Sequence, residues 1–223
     1  MSLMVITDTS YMSLAQHACS LFAAIGHRLE NLISESSSKK SNYFVEDIKD
    51  VKDVKDVICN KSKSQDYEDE TYRELVLLVR KHQLSIEYVR LLNSLFEMYS
   101  FMLLFVTIII ISLLGIQIIS LMKHKEEMVR YVAMVIGAFI HLFVLSYPGQ
   151  RIMDHSADIF QKAYNMLWYK TSRRTIRLLN ILLYRGFVPC TLTAGKMYVL
   201  SMANYASMVQ ISMSYFTALS SFR

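Results

Sequence analysis

Residues 98–122 read MYSFMLLFVTIIIISLLGIQIISLM, 25 positions without a single charge. Roughly 20 consecutive apolar residues are enough for a helix to cross the hydrocarbon core of a bilayer. A helix at the surface of a soluble core keeps one face for water and carries charge there, and this stretch has no such face. It is read as a transmembrane helix. Two further stretches lack Asp, Glu, Lys and Arg: residues 131–150, YVAMVIGAFIHLFVLSYPGQ, and residues 197–222. The fold class they predict is all-α: a polytopic membrane helical bundle of about four transmembrane helices with long cytoplasmic helical extensions.

The composition agrees. The 223 residues are 53% hydrophobic with only 6 Gly and 2 Pro, and the mean hydropathy of +0.27 is high for a water-soluble domain. Cys19, Cys59 and Cys190 are odd in number and widely separated, so neither a disulfide framework nor a metal site is predicted, and no cofactor is implied. Residue 1 onward shows no signal-peptide pattern. Nor is there a nucleophile elbow, a phosphate-cradling glycine loop or a carboxylate pair on an apolar background, and no enzyme is expected.

A pI near 9.0 raises nucleic acid as a partner, but the basic residues lie beside the spans, where orientation explains them. Arg151, Lys162, Lys170, Arg173, Arg174, Arg177, Arg185 and Lys196 face only Asp154 and Asp158. The positive-inside rule puts residues 151–196 in the cytoplasm. Counting spans makes 34–93 cytoplasmic as well, 123–130 an outer turn and the C-terminus extracellular. The sequon at Asn60-Lys61-Ser62 is then expected to stay unused.

The expected layout follows. Residues 1–33 form a partial transmembrane helix, and 34–72 a charged cytoplasmic loop or weak surface helix around the run IKD-VKD-VKD at 48–56. Residues 73–122 form one helix, its first part amphipathic through Leu75, Leu78, Val79, Ile86, Val89 and Leu92. A span covers 131–155, a cytoplasmic anchor helix 156–190 and a last span 194–222.

That last span is unusually polar. At 100° per residue, Ser207, Gln210, Ser214, Thr217 and Ser221 share one stripe. Such a stripe either joins helices by hydrogen bonds or lines a water-filled path, and a path needs several copies around an axis. His141, inside the second uncharged stretch, reads as a packing residue or a proton relay.

An ordered set of short motifs then resembles the C-terminal half of insect odorant receptors. It comprises Tyr147-Pro148-Gly149-Gln150, Tyr164, Trp168-Tyr169, Pro189, Thr193-Ala194-Gly195-Lys196, Leu200-Ser201 and Ser214-Tyr215-Phe216-Thr217. His17, Cys19 and Arg28-Leu29-Glu30, then Lys81-His82 with Leu91-Leu92-Asn93, are similar to the ends of that family's fourth and fifth spans. The resemblance covers essentially the whole chain and maps it to spans four to seven of a seven-span receptor, so that Met1 opens inside a helix and the chain looks like a fragment.

The resemblance implies an inverted topology in the plasma membrane and an odorant-gated, non-selective cation channel, assembled as a hetero-tetramer with a co-receptor and opened by a small volatile hydrophobic ligand. It implies a pore lining of Ser207, Gln210, Ser214, Thr217, Ala218 and Ser221, with Gln210 standing where the family commonly has Lys. His82, Tyr164, Trp168 and Tyr169 would belong to the anchor between subunits. Thr7, Tyr11, Met134, Ala138, Phe139 and His141 would contribute to the odorant pocket. A gustatory-type receptor and a non-conducting or truncated membrane subunit are the competing readings.

Overall fold

The computed structural model describes residues 2–49, 54–120, 125–166 and 172–221. Its elements in order are α1 (Ser2–Lys49), α2 (Val54–Ser120), α3 (Lys125–Tyr164), α4 (Arg173–Gly186), the strands β1 (Thr193–Ala194) and β2 (Tyr198–Val199), and α5 (Met202–Ser221). The described residues are all-α apart from this short hairpin. No Gly or Pro interrupts residues 27–114, which is why α1 and α2 run so long.

The buried positions repeat with a seven-residue period. On α1 they include Tyr11, Ala15, Ala18, Phe22, Ile25, Leu29 and Leu32, with Cys19 and Gly26 buried beside them, and on α2 they include Leu75, Leu78, His82, Ser85, Val89 and Leu92. The same alternation of three and four residues gives Ile152, Ser156, Ile159 and Ala163 on α3 and Met166 just beyond its end, and Thr175, Leu179, Leu182 and Gly186 on α4. A buried position every three or four residues is the spacing that helices packing at a shallow angle require.

Residues 1–17, 89–153 and 191–223 make up one compact unit, and 18–88 with 154–190 a second. In the first, the apolar surface points outward. Met98, Met102, Phe105, Leu113, Ile116, Ile136 and Ile140 are exposed. Among the described residues two helices, Asp69–Ser120 and Glu126–Tyr164, are long and apolar enough to cross a membrane, and only 17% and 11% of their most apolar windows are buried. A core helix of a soluble protein would be mostly buried, so these values favour lipid as the missing solvent. α5 is not among them, because its hydroxyl and amide side chains lower its hydropathy.

Element boundaries differ from the sequence expectation in three places. The charged stretch expected as a loop or weak surface helix is helical over 34–49 and 54–72, in a sequence with neither Gly nor Pro to break a helix there. The division at 155/156 is not a helix end. α3 runs through Pro148 to Tyr164, and the segment expected as one anchor helix is the end of α3 plus α4. A helix tolerates Pro148 by giving up one bond to the carbonyl of Val144. Finally, the last helix begins at Met202, not at residue 194.

Candidate functional site

Asp8 is the centre of the first unit's polar chemistry. Tyr99 on α2 donates its hydroxyl to Asp8 Oδ1 at 3.0 Å, and His141 Nε2 on α3 lies 3.1 Å from Asp8 Oδ2. Thr7 is a hydrogen-bonding neighbour of the Tyr99 hydroxyl. A carboxylate offers only lone pairs, and one donor at each oxygen is the arrangement that suits its ionised form. Beside it runs an aromatic file: the Tyr11 ring is 5.2 Å from that of Phe96, which is 6.4 Å and edge-on from Tyr99. Tyr11 is buried, and its hydroxyl has no partner among the described residues.

Of the residues assigned to an odorant pocket, His141 bonds to Asp8, Thr7 to the Tyr99 hydroxyl that Asp8 accepts, and Tyr11 stands against Phe96 in the adjoining aromatic file. Ala138 and Phe139 are partly covered on α3, and Met134 is exposed. Sequence reasoning did not assign Asp8, Phe96 or Tyr99 to the site. The available signal was Asp8 as the single Asp, Glu, Lys or Arg among residues 1–27, since a carboxylate is expensive in lipid and therefore a functional candidate.

The hairpin sets the start of α5. Met197 N–H bonds to the Ala194 carbonyl across Gly195 and Lys196, both left-handed at φ 61° and 57°, the signature of a type I′ turn. Gly195 combines that conformation with close approach, since a Cβ there would strike the Phe101 ring. Thr193 N–H donates to Asn93 Oδ1 at 2.7 Å, and Asn93 Nδ2 donates to Thr193 Oγ1 at 3.2 Å. Two side chains then cap α5. Ser201 Oγ accepts from Asn204 N–H, and Gln150 Oε1 accepts from Met202 N–H at 3.2 Å, satisfying donors that a helix start leaves open. Phe143 also meets Tyr205 edge-on at 5.7 Å.

Beyond this cap, Ser207, Gln210, Ser214, Thr217, Ala218 and Ser221 are all exposed on α5. The hydroxyls of Ser207, Thr217 and Ser221 bond back to the carbonyls of Ala203, Ser214 and Ala218. Such local bonds satisfy a hydroxyl in an apolar setting while leaving a lone pair outward.

In the second unit His82 is buried, with the Phe22 ring edge-on at 6.1 Å. Burial, and then the charge of Arg185, hold its pKa below the usual histidine value. Around it Arg28 pairs with Glu74, and Lys162 with Asp158 at 2.8 Å and Glu30 at 3.3 Å. Tyr164 is exposed and stacks on Phe160, which meets Phe187 edge-on. Trp168 and Tyr169 lie outside the described residues. Among the described residues no group of His, Cys, Asp and Glu could hold a metal ion.

The His82 environment predicts a pH dependence. The folded state holds His82 neutral below its unfolded pKa of about 6.5, so the unfolded chain binds more protons there. Stability is fully present above that value and falls as the pH drops below it. Thermal unfolding of the purified chain should shift down between pH 7.5 and 5.5, and His82→Gln should flatten the trend. An unchanged slope in the variant would assign the effect elsewhere.

The sequence model of the family described as "7tm Odorant receptor" matches residues 1–213. The chain belongs to this odorant receptor family. It is 27% identical over 157 residues to odorant receptor 22b of Drosophila melanogaster, covering 70% of this chain and 39% of that protein. Identity to odorant receptor 9a of the same fly is 27% over 153 residues, and to odorant receptor 10 of Aedes albopictus 23% over 147 residues; the matches cover 69% and 66% of this chain, and 38% and 39% of those proteins. The odorant receptor chain therefore spans about two fifths of the length of the curated relatives it matches. Its fold is that of the insect olfactory receptor OR5 from Machilis hrabei, solved in complex with eugenol. The TM-score is 0.70 at 13% identity, over 97% of this chain and 48% of that one. The family is one of multi-pass membrane receptors and is not an enzyme family.

Proposed function

We propose that this odorant receptor chain supplies the anchor and pore-lining part of a ligand-gated, non-selective cation channel in the plasma membrane of olfactory neurons. The channel is a hetero-tetramer with a co-receptor and opens on binding a small volatile ligand, as the eugenol-bound state of OR5 leads one to expect. Residues 34–93 and 151–196 are cytoplasmic and the C-terminus is extracellular, following the excess of basic residues after the second span.

The observation that carries the reading is the stripe on α5. Its six positions are exposed on one uncharged helix whose start is held by Gln150 and the hairpin. Four such helices around an axis would enclose a path lined by hydroxyls and amides, polar enough to wet and too weakly charged to trap a cation. His82, Tyr164 and the aromatic and ion-pair cluster of the second unit serve as the subunit anchor, together with Trp168 and Tyr169.

A cysteine test decides the pore assignment. Ser221→Cys, expressed with the co-receptor, should become modifiable by a water-soluble thiol reagent from outside, and modification should change odorant-evoked current at least severalfold. Protection in both open and closed states would remove α5 from the pore.

A further inference from the structure

The geometry around Asp8 points to a ligand class, and we propose that this site selects volatile molecules bearing a hydroxyl group. The proposal rests on the odorant receptor reading and deepens it. Asp8 takes the Tyr99 hydroxyl on one oxygen and His141 Nε2 on the other. Because the carboxylate can only accept, the hydrogen must sit on Nε2, and this fixes the ring's tautomer and orientation. Nδ1 is left without a hydrogen bond among the described residues, on a side chain that is 35% exposed.

In the neutral ring Nδ1 is an acceptor, so a ligand must bring a donor. An alcohol or phenol does so. It also remains compatible if the ring takes a second proton, since a hydroxyl can accept as well as donate. An ether of the same size can only accept and leaves the neutral Nδ1 unpaired. Tyr11 adds a second open group. It lies one helical turn from Asp8 on the same face, and its buried hydroxyl has no partner among the described residues. Buried polar atoms are almost always satisfied by protein, water or ligand. The Tyr11, Phe96 and Tyr99 rings supply the apolar remainder that a volatile molecule needs.

Binding to the full chain in lipid nanodiscs separates this proposal from channel function. The probes are two pairs of isomers: benzyl alcohol with anisole, and hexanol with pentyl methyl ether. The alcohol of at least one pair should bind about tenfold more tightly than its ether, the worth of one hydrogen bond made against one left open. His141→Phe should abolish the preference. Asp8→Asn, which releases the tautomer, should reduce it. Equal affinity within both pairs in the wild-type chain, or no binding of any probe, overturns the proposal without recourse to a variant. Alcohol preference with no current in the presence of co-receptor would leave the site standing and remove the channel reading.

Discussion

Phe22→Ala should cost the second unit about 3–5 kcal/mol, the usual consequence of emptying a fully buried aromatic position. Phe22 is 1% exposed in the middle of the α1 seam, and the loss would include the edge-on contact with His82. In a chain of this size a change of that order lowers the unfolding temperature by on the order of 10 °C. Thermal unfolding of the detergent-purified chain measures it. Phe22→Leu keeps most of the volume and should retain most of the stability. If alanine and leucine behave alike, Phe22 is not packed as described. The variant should also release His82 towards an ordinary histidine environment and so weaken the pH dependence argued above.

Gly149→Ala should destabilise the first unit although alanine is the better helix former. The substitution gains about 1 kcal/mol of helix propensity. Against this, the added Cβ would overlap the carbonyl oxygen of Leu200, a backbone atom that cannot swing aside. Overpacking of this kind costs about 1–3 kcal/mol and more when the backbone must move. The overlap wins, and the expected net loss is about 2 kcal/mol. Gly137→Ala is the control, because nothing lies within 4 Å of its added Cβ; it should be neutral or stabilising. Leu200 leads directly into the Ser201 cap of α5, so Gly149→Ala should also depress odorant-evoked current at equal surface expression. A loss at Gly149 with none at Gly137 in an unfolding assay would sustain the contact; identical gains in stability would refute it.

The two substitutions touch features of very different visibility. The seam that holds Phe22 follows from the spacing of apolar residues, a property of each helix taken alone. Amphipathicity of residues 72–93 reads directly from Leu75, Leu78, Val89 and Leu92. The same spacing does not show that His82 and Ser85 occupy the buried line while Val79 and Ile86 stand partly beside it. Polar residues are discounted when a hydrophobic face is sought, yet the geometry of the seam buries whatever occupies the repeat.

The hairpin was hidden for a related reason. Thr193-Ala194-Gly195-Lys196 contains one glycine and no strong strand signal, and two-residue strands are too short to show an alternating pattern. What stabilises them lies elsewhere in the chain, in Asn93 and Phe101 on α2.

Sequence by itself determined that this chain is helical, that its uncharged stretches 98–122, 131–150 and 197–222 are each about long enough to cross a bilayer and that the last helix carries a polar stripe, because length, charge and period are local properties. Its ordered motifs also carried the likeness to odorant receptors. Only the tertiary structure decided that Asp8, Tyr99 and His141 form one site and that Gln150 caps α5. These partners are 91, 133 and 52 residues apart, and hydrogen bonds act over about 3 Å. No periodicity along the chain can state which side chains such distances will join until the helices have packed.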